Sequence, residues 1–383
     1  MRRKNHSSEP VFQNRQTALL AMWLLLILFT LPHQVFSSAK GGESLRRTQG
    51  AYSVYGQTAI KAGLSFPPFA HEEHRAFTIK AMQDLSIDRV RIAIDWRERE
   101  AQQGSFAWKP MDERMQAAKE NDIKVFLTIA SVAPAWAIQP NTTGSTNLFD
   151  EYALERFMQE LLVRYDNIDK IQFGNEWEAG SDGYTDWEGI RKFVLYTNML
   201  YEAVQKYAPQ TEVVLGGLTR LYSLMELGEP NLDLDRIQLA RNWTQERLMQ
   251  RMARDREEYM RVETKAHVEY VLEHASYDVL DVHLYDDAEN WPAYLALLPK
   301  GVPIVVSEFG GPSSEFEQTD KRYHAMRMDA YIDAIESLPI TEAYYFKLVD
   351  SDESYHKHSG LYTKRLKKKP AYTVFKERLS PRT

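Results

Sequence analysis

Residues 168–176 read IDKIQFGNE, an apolar strand pattern that ends in a polar Asn-Glu pair. The part from 168 to 173 is typical of a buried strand, and Glu176 follows shortly after its end. The same arrangement returns in residues 302–311, VPIVVSEFGG, where Glu308 follows the predicted strand 304–306. Two acids at two strand ends favour an α/β barrel, because that fold places its functional groups at the carboxyl ends of its strands.

Short β-branched runs alternate along the chain with longer segments of helical periodicity. Eight strands are predicted, at 60–66, 89–94, 124–129, 168–173, 212–215, 279–284, 304–306 and 343–346. A doubly wound sheet is the rival architecture, but neither a GxGxxG nor a P-loop pattern supports a nucleotide site. The pattern therefore predicts one α/β domain, a (β/α)8 TIM barrel over residues 59–383.

A long charged, helix-prone segment separates the fifth and sixth predicted strands. This helical insertion after strand five covers residues 219–262. Loops that follow barrel strands build the functional face, so the insertion is expected either to wall one side of the site or to form a solvated helical hairpin. The sequence leaves both interpretations open.

The first 39 residues resemble an export signal. Basic residues precede an apolar run at 18–31, and the small residues 37–39 follow it. A run of 14 residues is shorter than the roughly 20 that span a membrane, so we expect cleavage after Ala39, with an uncleaved membrane anchor as the alternative. Residues 40–58 then form a polar N-terminal segment, and the mature protein is expected to be periplasmic or secreted.

Charge and cysteine content exclude several classes of function. The 383 residues carry a net charge of −7, which becomes about −10 without residues 1–39. An acidic domain is a poor nucleic-acid binder, and the one dense basic run, 364–369, is interpreted as a solvated loop. There are no cysteines, which excludes disulfides and thiolate chemistry.

A pair of carboxyl groups at one barrel mouth is the minimum equipment for cleaving a glycosidic bond. One carboxyl protonates the leaving oxygen and the second attacks or stabilises the anomeric carbon. We expect burial or the charge of Glu308 to raise the pKa of Glu176 so that it can donate a proton. This chemistry requires neither a metal nor an organic cofactor, and none is predicted.

Four motifs in strand order resemble those of clan A glycoside hydrolases, closest in pattern to families 5 and 39. Asn175-Glu176 after strand four resembles the clan's Asn-Glu pair, which implies that Glu176 is the acid/base and that Asn175 binds the sugar 2-hydroxyl. Ser307-Glu308-Phe309-Gly310 after strand seven resembles the nucleophile motif. The resemblance covers most of residues 59–375 and implies a retaining (β/α)8 glycosidase.

Further residues match the clan's supporting positions. Arg91 in VRIAIDW is similar to the strand-two arginine that lies near the nucleophile in family 5. His283 and Tyr285 in VHLY match the strand-six His-x-Tyr, in which the tyrosine hydroxyl contacts the nucleophile. Trp136 in APAW resembles a Pro-x-Trp of family 39, and we expect it to line a sugar subsite because aromatic faces stack on sugar rings.

Two positions depart from the clan's pattern. Phe346, or alternatively Lys347, stands at the end of strand eight, where the clan usually has the tryptophan that forms the floor of the −1 subsite. Trp177 follows the acid/base where a proline is commoner, and it is predicted to contact substrate. His356, in the segment after strand eight, is a candidate either for substrate contact or for a solvated loop residue.

The sequence thus predicts a retaining glycosidase acting on a β-linked oligo- or polysaccharide. Two alternatives stay open: a transglycosylase that acts in exopolysaccharide assembly, and a catalytically silent sugar-binding protein of the cell envelope. Glu176 and Glu308 together argue against silent binding, because binding alone requires no matched acid and nucleophile.

Overall fold

A computed structural model describes residues 60–139, 148–179, 184, 186–219, 264–285, 288–311, 320–351 and 356–379. The predicted signal or anchor (1–39), the polar segment (40–58) and the insertion (219–262, apart from Thr219) lie outside the described residues. In the described part of the chain, no helix is both long and apolar enough to cross a membrane.

Eight parallel strands close into a barrel in chain order, which confirms the predicted (β/α)8 fold. The strands are β1 (Lys61–Ser65), β2 (Arg89–Ile94), β3 (Lys124–Ile129), β4 (Ile168–Phe173), β5 (Glu212–Leu218), β6 (Val279–Tyr285), β7 (Ile304–Gly310) and β8 (Glu342–Phe346). Closure comes from β8 pairing with β1, for example Tyr344 beside Gly63. Closing the barrel leaves no unpaired sheet edge.

Helices connect the strands on the outside of the barrel. They are α1 (Glu72–Leu85), α2 (Trp96–Arg99), α3 (Lys109–Glu120), α4 (Glu151–Arg164), α5 (Trp187–Tyr207), α6 (Thr264–His274), α7 (Trp291–Ala296), α8 (Lys321–Ser337) and α9 (Pro370–Leu379). Aspartates begin three of the long ones: the carboxylates of Asp150, Asp186 and Asp320 accept backbone N–H groups of α4, α5 and α8. Each such cap stabilises a helix by about 1 kcal/mol.

The two ends of the barrel differ in chemistry. At the amino ends of the strands, Glu342 accepts hydrogen bonds from Lys170 Nζ at 3.2 Å and Tyr344 Oη at 2.8 Å, and it pairs with Arg89 at 2.7 Å. Above this buried cluster, apolar side chains such as Phe126 and Val214 fill the barrel interior. Packed side chains therefore close the barrel at the amino ends of the strands, and a functional site is expected at the carboxyl ends.

Candidate active site

The backbone turns sharply after β4 and carries Glu176 into the barrel mouth. Gly174 and Glu176 both have positive φ angles, 76° and 48°. A left-handed conformation costs a non-glycine residue roughly 1–2 kcal/mol, so the surrounding contacts must fix Glu176 there. Gly217 on β5 leaves the necessary space, because a Cβ at that position would lie 2.9 Å from Nε2 of His283 and 3.2 Å from the backbone N of Glu176.

Glu308, on β7, is bound by two donors, one from the adjacent strand β6 and one from β2 across the barrel. Arg91 Nη1 donates to its Oε1 at 2.6 Å, and the Tyr285 hydroxyl donates to its Oε2. Burial and the charge of Glu308 raise the pKa of Tyr285 well above its ordinary value, so the hydroxyl keeps its proton and remains a donor. Both carboxylate oxygens of Glu308 are thus oriented.

Arg91 is fully buried and connects four strands of the barrel. Besides Glu308, its Nη2 donates to Asn175 Oδ1 at 2.5 Å and its Nε donates to Thr128 Oγ1 at 3.2 Å. The Phe66 ring covers the guanidinium at 4.5 Å. The planar fork of donors therefore fixes Asn175 and Glu308 relative to each other, a geometry that a lysine could not reproduce.

His283 lies between the two glutamates. Its Nδ1 is 2.8 Å from Glu176 Oε1 and 3.7 Å from Glu308 Oε2, while its Nε2 is 3.1 Å from Ser307 Oγ. Burial lowers the pKa of His283, but the charges of Glu308, Asp281 and Glu176 outweigh burial and raise that pKa to about 10. The imidazole is therefore expected to be protonated at neutral pH.

The expectation for the pKa of Glu176 is wrong in sign. Burial does raise this pKa, but the hydrogen bond and charge of His283 and the charge of Arg91 outweigh burial, so the net shift is downward. Glu176 and His283 share one proton across a 2.8 Å contact and titrate as a pair. The shared proton therefore resides mainly on the imidazole.

Asp281 and Glu178 are two buried acids of the site that the sequence reasoning missed. Asp281, on β6, accepts hydrogen bonds from the Ser307 backbone and hydroxyl and from Gly217 N. Glu178, two residues after the acid/base, accepts from Thr219 N, and burial raises its pKa to about 7. The spacing Asp281-x-His283 was the available signal for the first, since alternate residues of a strand face the same side.

Phe346 and His356 form one wall of the mouth, next to Tyr285. The His356 ring lies 4.4 Å from the Tyr285 ring and meets Phe346 edge-on at 5.1 Å between ring centres. Burial lowers the pKa of His356 to about 4, so its imidazole is neutral near neutral pH. Phe346 thus lies beside Tyr285 at the mouth, and its role as the floor of a sugar subsite stays a prediction; the adjacent Lys347 donates to Ser351.

The two predicted subsite tryptophans differ. Trp136 is half-buried just after β3, meets Trp96 edge-on and donates from its indole to Glu100 O at 3.0 Å. Its contact with substrate stays a prediction. Trp177 is fully buried, stacks on Phe193 and donates to Gly216 O, so the prediction that it contacts substrate is wrong. The strained turn at Glu176 directs Trp177 into the core.

One oxygen of Glu176, one of Glu308 and a ring nitrogen of His283 lie within 4.8 Å of one another, a spacing that a metal ion could bridge. However, both imidazole nitrogens already lie within hydrogen-bonding distance of protein oxygens. A protonated imidazole has no lone pair for a metal. This trio fits an acid/base arrangement better than a metal centre.

Comparison with solved structures shows the same fold at low sequence identity. An exo-beta-1,4-mannosidase, Op5Man5, from Opitutaceae bacterium strain TAV5 is 14% identical over 84% of this chain and 59% of its own, with a TM-score of 0.59. A family 39 glycoside hydrolase from Bacteroides cellulosilyticus WH2 is also 14% identical, over 84% and 63% of the two chains, with a TM-score of 0.56. The chain thus spans about three fifths of the length of these two proteins.

A third solved structure is a variant of GH5_18 from Bifidobacterium longum subsp. longum in complex with Manb1-4GlcNAc. It is 14% identical over 84% of this chain and 78% of its own, with a TM-score of 0.57. No curated protein sequence matches this chain. Residues 55–345 match the profile of the family described as Cellulase (glycosyl hydrolase family 5), which is most of the chain. The chain therefore belongs to glycosyl hydrolase family 5.

Proposed function

We propose that this family 5 protein is a glycosidase that cleaves a β-linked oligo- or polysaccharide with retention of configuration, by double displacement. The observation that carries the proposal is the spacing of the carboxylates, with one oxygen of Glu176 and one of Glu308 within 4.8 Å. Retaining enzymes separate their carboxyl groups by about 5–5.5 Å, whereas inverting enzymes leave about 6.5–9.5 Å for a water. The spacing of the two groups here is therefore closer to the retaining range than to the inverting range.

The contacts of the two glutamates support a different role for each. Glu308 is 8% exposed, and Arg91 and Tyr285 orient both of its oxygens, as a nucleophile that attacks one face of the sugar requires. Glu176 is 31% exposed and shares its proton with His283, so it can reach the leaving oxygen. In the first step Glu308 bonds to the anomeric carbon while Glu176 protonates the departing oxygen.

The second step reverses the role of Glu176. Its carboxylate takes a proton from water, the hydroxide adds to the anomeric carbon, and the bond to Glu308 breaks. Nδ1 of His283, 2.8 Å away, donates to the ionised carboxylate while the pair holds its shared proton, and the proton taken from water restores that state. The acid/base is therefore ready for either step without a change in the rest of the site.

The substrate class rests on weaker support than the mechanism. Similar solved structures include a protein described as an exo-beta-1,4-mannosidase and another in complex with Manb1-4GlcNAc, which favours a β-linked sugar. Phe346 offers a smaller platform than a tryptophan would, and neutral His356 stands beside it. Export remains part of the proposal, on the evidence of the apolar run at 18–31. None of the described contacts favours transglycosylation or silent binding.

The test is loss of the nucleophile with chemical rescue. Glu308→Ala should abolish hydrolysis of dinitrophenyl β-glycosides, and azide should restore turnover by forming an α-glycosyl azide, because the small anion attacks where the carboxylate stood. Glu98→Ala is the matched control, an exposed acid on α2 at the same end of the barrel. Full activity in Glu308→Ala, or a product of β configuration with azide, would contradict the mechanism. A parallel screen of β-mannan, β-glucan and β-xylan identifies the substrate.

A further inference from the structure

A buried aspartate, Asp281, lies behind His283 and takes no part in the two steps above. Asp281 is fully buried, and its oxygens accept from Ser307 N at 2.9 Å, Ser307 Oγ at 2.6 Å and Gly217 N at 3.0 Å. Three donors directed at one carboxyl are what an ionised group requires. The described hydrogen bonds of this carboxylate therefore come from Ser307 and from Gly217 on β5. The carboxylate also lies 3.7 Å from His283 Nε2.

The direction of one hydroxyl fixes a proton on His283. A carboxylate has no hydrogen to offer, so the 2.6 Å contact requires the Ser307 hydroxyl to donate to Asp281. The single hydroxyl hydrogen is then used, and Ser307 Oγ can only accept from His283 Nε2 at 3.1 Å. Nε2 must therefore carry a hydrogen.

We propose that Asp281 and Ser307 are positioning residues that fix the tautomer of His283, with a proton always on Nε2, so that only Nδ1 exchanges a proton with Glu176. The chain of contacts runs from Asp281 through the Ser307 hydroxyl and the imidazole to Oε1 of Glu176. One proton moves between Nδ1 and Glu176, and none crosses Ser307. The exchangeable proton of His283 thus stays on Nδ1, the nitrogen that faces Glu176.

Charged and titratable groups from every neighbouring element face His283. Glu176 after β4, Glu308 on β7 and Asp281 on β6 are acidic, whereas Arg91 on β2 is basic. Among the described residues, Tyr285 on β6 and His356 after β8 are two further titratable groups near the ring. Removing one of the acids therefore makes the proton on Nδ1 easier to lose.

The first test reads the tautomer directly and needs no substrate. Protein labelled with ¹⁵N-histidine is titrated, and the His283 resonances are assigned by their absence in His283→Gln. As the pH rises through about 10, Nδ1 should lose its proton while Nε2 keeps its own. In Ser307→Ala, which removes the acceptor of Nε2, the neutral ring should show a mixture of tautomers. A neutral ring protonated on Nδ1 in the wild type would overturn the proposal.

The second test rests on the proposed function and uses leaving-group dependence. Dinitrophenyl glycosides depart without protonation, whereas phenyl glycosides require the acid. Ser307→Ala should lose roughly tenfold or more in kcat on the phenyl substrate and little on the dinitrophenyl substrate, with KM unchanged. Ser307→Thr retains a hydroxyl and should restore most of the loss. Equal losses on both substrates would show a merely structural role.

The third test is the pH profile of Asp281→Asn. The interaction with the Asp281 carboxylate contributes to the raised pKa of His283, so the neutral amide should lower the pKa at which the Glu176–His283 pair loses its shared proton. The alkaline limb of kcat/KM should move down by about 1–3 pH units. An unmoved limb would refute the inference about Asp281. Inactive wild-type protein across the glycoside panel would instead refute the proposed function and leave the NMR result standing.

Discussion

Replacing Arg91 by methionine tests the hydrogen bonds that connect Glu308 on β7 with Asn175 after β4. The methionine keeps an unbranched chain but removes every donor, including those to Glu308 at 2.6 Å, to Asn175 at 2.5 Å and to Thr128 at 3.2 Å. Glu308 then remains buried with the Tyr285 hydroxyl as its described donor, and the nearest described cation is the His283 imidazole at 3.7 Å, which already faces two other acids.

The expected cost follows from that uncompensated charge. Removing one partner of a buried ion pair lowers the free energy of unfolding by about 3–5 kcal/mol, because the desolvated charge is left behind. Total stability is typically about 5–15 kcal/mol, so Arg91→Met should be folded but clearly weakened. Adding Glu308→Gln removes the orphaned charge, so the double variant should be more stable than the two separate losses imply, with a coupling of about 1.5–3 kcal/mol.

Urea denaturation of the four proteins of this cycle measures the coupling, with activity on a dinitrophenyl glycoside recorded in parallel. Arg97→Met is the matched control, an exposed arginine that pairs with Asp95 at the end of β2. It should leave both stability and activity close to the wild type. A loss below about 1 kcal/mol for Arg91→Met, or zero coupling to Glu308→Gln, would refute the assigned electrostatic role.

Two further outcomes are expected. Trp177→Ala should lower the free energy of unfolding by about 3–5 kcal/mol in urea denaturation without raising KM, because the fully buried indole packs on Phe193. Trp136→Ala should instead raise KM at little cost in stability. The reverse pattern would make Trp177 the substrate contact. Activity should survive incubation with EDTA, since Glu176 and Ser307 occupy the nitrogens of His283; a loss restored by a divalent ion would assign a metal to this site.

Local pattern is sufficient to predict strands β2, β3 and β4, whose observed bounds match the predicted ones. The match fails at β7, predicted to end at Val306 but extending to Gly310. Polar Ser307 and Glu308 resemble a loop, yet pairing continues on both sides of β7 after register shifts beside β6 and β8. A bulge redirects side chains at a cost in regularity, and no local sequence signal predicts it.

Local sequence pattern also could not predict that the Trp177 side chain is buried. A tryptophan after a strand-end glutamate fits a subsite or the core equally well, and the backbone turn decides between them. Positive φ angles at Gly174 and Glu176 direct the acid outward and the next side chain inward, onto Phe193 of α5. The sequence predicted that Glu176 follows β4, whereas the position of the Trp177 side chain depends on a helix that begins ten residues later.

The pKa of the acid/base shows why site chemistry is harder to predict than site location. With Glu308 as the only charge considered, Glu176 should be hard to ionise, and the sequence argument predicted a raised pKa. The structure places a histidine between the two acids and a third acid, Asp281, behind that histidine. Three carboxylates make the imidazole a cation, and the cation reverses the shift on Glu176. The sign depends on groups from β4, β6 and β7 acting together, and only the closed barrel brings those groups into contact.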